Sequence, residues 1–216
     1  MPSLYLTLLH LSQPLSPTPP STTTQTIHNF LRTTTQESHS KTTTIYTQIE
    51  EPHYIYLLHR AEEQATHDLR LPQQSTPEAP ITHEWTHQID LPASAAELPL
   101  MAPVLAIGRY FVRADQCDQF QRTFEETKGF LEEFTAPAPV AGGWRRRDGS
   151  EGAADAADSA DNAAEFVLFS GWEAVEKHFA FAETKGFKEF ARIKEFMEGA
   201  EIKHAVRWRE NEAEDC

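Results

Sequence analysis

Cysteine is nearly missing from this 216-residue chain: Cys117 and Cys216 are the only two, and they lie far apart. Two such thiols are poor material for a disulfide framework and fit a reducing compartment, so a cytoplasmic location is expected. Basic residues are scarce as well. Nineteen Lys and Arg stand against 33 Asp and Glu, leaving a net charge of −14 with His neutral. That balance repels phosphate backbones and anionic membranes, so neither nucleic acid nor a membrane is an expected partner. No stretch approaches the ~20 apolar residues of a spanning helix. The apolar opening Leu4 to Leu11 has no Lys or Arg before it, and Pro14, Pro17, Pro19 and Pro20 follow it. It reads as a strand rather than a signal segment. A Gly-rich phosphate loop, a Ser nucleophile elbow and a Cys-x-x-Cys pair are all missing too. Neither a metal nor an organic cofactor is therefore expected.

What the chain does contain is an internal echo. Residues 55–67 (Ile55 to His67) align without a gap on residues 166–178 (Phe166 to His178), an offset of 111 (166 minus 55). Each copy is an apolar run turning into a polar, helix-like one, with Glu62 matching Glu173 and His67 matching His178. Ile81-Thr82-His83 is echoed by Ile202-Lys203-His204 near the end of each half. Two copies of one small fold explain this better than one large domain. Halves of ~100 residues bury only a modest share of their surface, so each gains by packing on its twin. Composition separates them: residues 1–100 hold eight of the ten His and only Phe30, while residues 101–216 hold the other twelve of thirteen Phe.

In the second half, Val104 to Val112 has the β-formers and length of a strand, and Asp115 is placed to cap a helix. Phe120, Phe124, Thr127, Leu131 and Phe134 then recur at three and four, one apolar stripe ended by Pro137 and Pro139. Val140 to Arg147 and Glu165 to Gly171 read as strands. Trp172 opens a second helical stripe with Val175 and Phe179, which Gly186 interrupts before Phe187, Phe190, Ile193 and Met197. Glu201 to Trp208 alternates as a last strand. The first half follows the same order: strand Leu4 to Ser12, weak helix Ser21 to Arg32, strands Thr42 to Ile49 and His53 to Leu58, helix Ala61 to Leu71, strand Ile81 to Ile89. Strand, helix, strand, strand, helix, strand is the split βαβ plan. The expectation is an α+β chain of two ferredoxin-like repeats, a divergent one at 1–92 and a second at 103–210, joined by a linker at 93–102. Ser12 to Thr26 and an insert at 148–164 read as unstructured, being rich in small and polar residues. Glu-Thr-Lys-Gly-Phe occurs at both 126–130 and 183–187; a structural echo and coincidence explain it equally well.

Phe169-Ser170-Gly171-Trp172-Glu173-Ala174-Val175-Glu176-Lys177-His178-Phe179, with Gly186-Phe187-Lys188-Glu189-Phe190 after it, resembles the strand-to-helix segment of the dimeric α/β barrel superfamily. The nearest flavour is the antibiotic biosynthesis monooxygenase-like family, fungal members in particular. The resemblance spans 103–208 and is weaker over 1–90. It implies two ferredoxin-like units packed as an intramolecular barrel, a monomer holding an internal pseudo-dimer, and small-molecule chemistry between sheet and helices. Known activities of the family include cofactor-independent oxidation of aromatic polyketides, haem degradation, cyclisation and decarboxylation.

Oxidation without a cofactor needs a base to form a carbanion that oxygen attacks, and donors for the developing charge. The resemblance puts His178 forward as base and Arg109 or Tyr110 as donor. Only one of the latter two can face a pocket, since neighbours on a strand point to opposite faces. Trp172, Phe120, Phe124, Phe179 and Trp144 are the expected substrate-binding walls, giving an apolar cavity for a flat ligand. One departure stands out: some relatives carry their catalytic His further along the helix, where this chain has Phe181. His83, Trp85 and His87 share a strand face, but two His four residues apart do not reach one ion on a straight strand. A hydrogen-bonded His face is the better reading. Arg145-Arg146-Arg147 meets either an anionic substrate or the acidic stretch after it. The partner is expected to be a small hydrophobic or aromatic molecule. The alternative is a non-catalytic barrel that binds a ligand or a protein.

Overall fold

Runs of Leu, Ile, Tyr and Thr in the first half, and of Val, Ile, Phe and Leu in the second, give pleated strands that bury side chains against helices. The computed structural model describes residues 3–14, 22–37, 43–61, 79–92, 97–146 and 163–209. The chain divides into two compact units, residues 2–88 with 205–216 and residues 89–204 with Met1.

The first unit contains β1 (Ser3–Leu11), α1 (Thr22–Glu37), β2 (Thr43–Gln48), β3 (Tyr54–Ala61) and most of β4 (Ile81–Asp90). Its strand order is β4-β1-β3-β2. The described pairings of β3 with β1 and β2 are antiparallel. A tight turn joins β2 to β3, closed by Tyr54 N–H donating to the Glu51 carbonyl at 2.9 Å. Ile27 and Leu31, one helical turn apart on α1, pack onto Leu9, Leu11, Ile45, Ile55 and Leu57. This apolar stripe explains why a helix rich in Thr forms at all: packing offsets its modest propensity.

The second unit contains β5 (Val104–Arg113), α2 (Cys117–Thr135), β6 (Val140–Arg145), β7 (Ala163–Trp172), α3 (Val175–Phe181), α4 (Lys185–Phe190) and β8 (Met197–Arg207) as far as His204. The order is β8-β5-β7-β6. β5 and β7 pair over ten residues, from Val104 opposite Trp172 to Arg113 opposite Ala163. Phe120, Phe124 and Leu131 of α2 bury against Phe166, Leu168, Phe181 and Phe190. Counting strands within a unit, both orders are 4-1-3-2, the ferredoxin-like arrangement. The fold is α+β with two such units.

Several boundaries differ from the sequence reading. Asp115 lies inside a 3-10 turn (Ala114–Gln116), and the residue at the N-cap of α2 is Gln116, whose side chain bonds Asp115 and makes no capping hydrogen bond to the helix. Trp172 ends β7 instead of opening a helix, because its register opposite Val104 keeps it extended. The second helical stripe breaks at 182–184, ahead of Gly186, where Thr184 accepts from Phe187 N–H at 2.9 Å and starts α4 afresh. Its twin Thr127 lies mid-helix, bonded to the Thr123 carbonyl at 2.7 Å, so the repeated pentapeptide serves two different local structures. Residues 22–26 of the presumed first loop are helical, and Ala163 and Ala164 of the presumed insert belong to β7. The expected helix at 61–71 lies outside the described residues beyond Ala61, which ends β3; insert residues 148–162 lie outside them entirely.

Candidate functional site

Strand alternation puts Ala106, Gly108 and Tyr110 of β5 on the helix-facing side of the second unit's sheet, with Leu168 and Ser170 of β7 beside them. The helices do not fill the space above these small residues. A cavity of about 210 Å³ remains, bounded by Leu131, His178, Phe181, Phe187, Phe190 and Ile193, with Lys194, Met197, Ala200 and Ile202 completing it. A Cβ at Gly108 would lie 3.0 Å from Cε2 of Tyr110, whose ring folds across the glycine.

Besides Lys194, three polar groups reach an otherwise apolar wall. Tyr110 is 8% exposed, its ring 6.3 Å from that of Phe120, and burial pushes its phenol well above the ordinary range. It therefore stays protonated and presents an O–H donor. The Ser170 hydroxyl accepts from Trp172 Nε1–H at 2.9 Å. His178 stacks on Trp172, with ring centroids 4.3 Å apart and planes at 16°. Its Nδ1 lies 2.7 Å from Nε2 of His204, which is itself 4% exposed. Burial first, and the neighbouring His204 second, lower the His178 pKa from 6.5 to about 4. The ring is thus neutral at physiological pH. One proton occupies the His178–His204 bond, so the tautomer follows from which ring donates. If His178 donates through Nδ1, its Nε2 carries a lone pair; if His204 donates, that Nε2 is an N–H donor.

Of the residues singled out from the sequence, the structure brings Tyr110 and His178 to the same cavity, with Trp172 directly behind His178. Arg109 falls on the other face of β5, as alternation requires once Tyr110 faces the helices. It bonds Glu165 through Nε at 2.5 Å and Glu201 through Nη1 at 2.9 Å. Phe120, Phe124 and Trp144 do not line this cavity. They pack with Phe166 in an aromatic layer that also touches Tyr110 and Phe190, and Trp144 Nε1–H donates to Gln121 at 2.8 Å. Phe179 is 65% exposed, its ring 6.0 Å from that of His204. Arg145 reaches Glu165 at 3.4 Å and Arg146 reaches Asp90 at 2.7 Å, so both serve local ion pairs.

His204, Ser170, Phe181 and Lys194 were not among the candidates. His204 was marked only by its place in the Ile-x-His echo, and the 26 residues separating it from His178 carry no local signal. In the first unit, Trp85 stacks on His87 at 4.2 Å, and His83 Nε2 meets Thr86 Oγ1 at 2.9 Å. Among the described residues no group of three or more His, Cys, Asp or Glu is placed to hold a metal. No described helix is long and apolar enough to cross a membrane.

Comparison with family models found no match, and comparison with curated proteins found none either. Solved structures do match the fold. A putative monooxygenase from Lactobacillus acidophilus shares 10% identity at a TM-score of 0.59, covering 95% of this chain and 93% of its own. An anthrone oxidase-like protein shares 12% at 0.57, covering 96% and 92%. A ferredoxin-fold protein from Listeria monocytogenes, related to antibiotic biosynthesis monooxygenases, shares 11% at 0.50, covering 98% and 96%. The chain is thus similar in fold, along nearly its whole length, to proteins of the monooxygenase-like ferredoxin-fold type.

Proposed function

We propose that the second unit is a small-molecule site that oxidises a compact aromatic or polyketide-like compound with molecular oxygen and no cofactor. The observation that carries this reading is one apolar cavity holding both a neutral imidazole and a protonated phenol. At about 210 Å³ it lies below the ~300–1,000 Å³ of pockets for drug-sized ligands, which favours a one- or two-ring substrate. His178 Nε2 takes the proton from an activated C–H, and the Tyr110 O–H supports the charge that develops on the substrate oxygen. The carbanion then reduces oxygen. A methylene becomes a carbonyl and one water leaves, so CH2 + O2 gives C=O + H2O with no external reductant. The names of the monooxygenase and anthrone oxidase-like neighbours are consistent with this class of reaction.

One observation favours a binding role without turnover. An imidazole lowered to about 4 is a weak base. Against a phenol-like acid of pKa ~10, six units of mismatch cost about 8 kcal/mol, which the site must offset on binding. The two readings separate in one assay. Oxygen uptake is followed while hydroxylated one- and two-ring aromatics are added to the wild type, His178→Asn and Tyr110→Phe. The enzyme reading expects substrate-dependent uptake that falls ~100-fold or more in His178→Asn. Tight binding with no oxygen consumed would establish the binding role instead.

A further inference from the structure

The cavity's charge is one-sided. Among its described lining residues Lys194 is the only one with a full charge, and none is a carboxylate, in a chain whose net charge is −14. His178, the other ionisable base there, is neutral for the reason given above. Lys194 sits on the 3-10 segment Ala191–Phe196, between buried Ile193 and the start of β8. Its Nζ lies 5.0 Å from the centroid of the Phe187 ring, itself a lining residue. Lys194 is exposed, and that cation–π contact keeps its ammonium beside the cavity's aromatic wall while it still meets solvent. Lys194 makes no ion pair with any described residue, whereas Arg109, Arg145, Arg146 and Arg192 all meet carboxylates. A cation on an acidic surface that is held over an aromatic ring, and not neutralised by a neighbouring acid, is placed to receive an anion from elsewhere.

We infer that the ligand of this cavity is an aromatic carboxylate, anchored by Lys194, with its ring system lying among Phe181, Phe187 and Phe190 towards Tyr110 and His178. This rests on the cavity being the ligand site, but it does not require the ligand to be oxidised. It also gives the ligand a direction: the carboxylate meets exposed Lys194 and the reactive part of the ring meets half-buried His178.

The test uses the full chain and two probes of the same shape, 1-naphthoate and its uncharged amide, 1-naphthamide, titrated calorimetrically. The wild type is expected to bind the carboxylate roughly two- to fivefold more tightly than the amide, the range of an exposed ion pair. That preference should shrink as salt is raised. Lys194→Met keeps the aliphatic stem over Phe187 and removes the charge; it should abolish the preference, while Lys194→Arg should keep most of it. Equal affinity for both probes in the wild type, a preference that survives in Lys194→Met, or no binding of either probe would overturn the inference. Carboxylate preference without oxygen uptake would refute only the oxidation. Oxygen uptake that is indifferent to Lys194→Met and to substrate charge would refute only the anchor.

Discussion

Acidification should cost this protein stability through His178 in particular. In the unfolded chain the imidazole titrates at 6.5, while in the folded one burial and His204 lower it to about 4. Between those values the unfolded state holds more protons, so stability rises with pH across the window. The contribution is fully present above pH 6.5 and is lost as pH falls towards 4. At ~1.36 kcal/mol per unit the whole shift corresponds to ~3 kcal/mol; water reaching the ring through the cavity reduces this to about 2 kcal/mol. The assay is urea unfolding at pH 7 and at pH 4.5, comparing wild type with His178→Gln, which cannot titrate. The wild type should lose about 2 kcal/mol more than the variant on acidification. Ring NMR shifts should show His178 half-protonated near pH 4. In His204→Gln the ring should titrate higher but still below 6.5, because burial is the larger cause and remains. Equal acid losses in wild type and His178→Gln, with the ring titrating near 6.5, would refute the reasoning.

Phe124→Ala removes a buried ring packed on Phe120, Phe166 and Phe190 and should cost about 3–5 kcal/mol by chemical denaturation, whereas exposed Phe179→Ala should stay within ~0.5 kcal/mol. Gly143→Ala puts a Cβ 2.2 Å from the Asp90 carbonyl oxygen, so it should lower the melting temperature clearly. Gly129→Ala, inside α2 with nothing within 4 Å of the added carbon, should raise stability by ~0.5–1 kcal/mol. Tyr110→Phe leaves the packing on Phe120 intact and should change stability little while slowing oxygen uptake, read as kcat at saturating substrate.

Period and propensity made the order of elements legible. Strand alternation separated Arg109 from Tyr110 onto opposite faces of β5, and three–four spacing marked the stripe that buries Phe120, Phe124 and Leu131. What these patterns do not carry is depth. Phe120 and Phe124 share the stripe with Leu131, yet only Leu131 reaches the cavity, because the gap lies at the C-terminal end of α2. Nor could spacing reveal that Phe179 faces out: α3 is seven residues long and buries Phe181 instead. Apolar spacing carries Trp172 into the helix that follows it, whereas cross-strand pairing with Val104 decides its conformation. The His178–His204 bond joins α3 to β8 and depends on tertiary packing alone. Its only trace in the sequence was a repeated tripeptide.

The central claim is that the space between Tyr110 and His178 is where a ligand binds, and chemical-shift mapping tests it most directly. On titration with a compact aromatic carboxylate, the largest changes should fall on Tyr110, Ser170, His178, Phe181 and Lys194, with the His178 ring resonances moving in step with occupancy. Saturable binding whose shifts lie on the Arg109 face of β5 or in the first unit, leaving Tyr110 and His178 unmoved, would contradict the account.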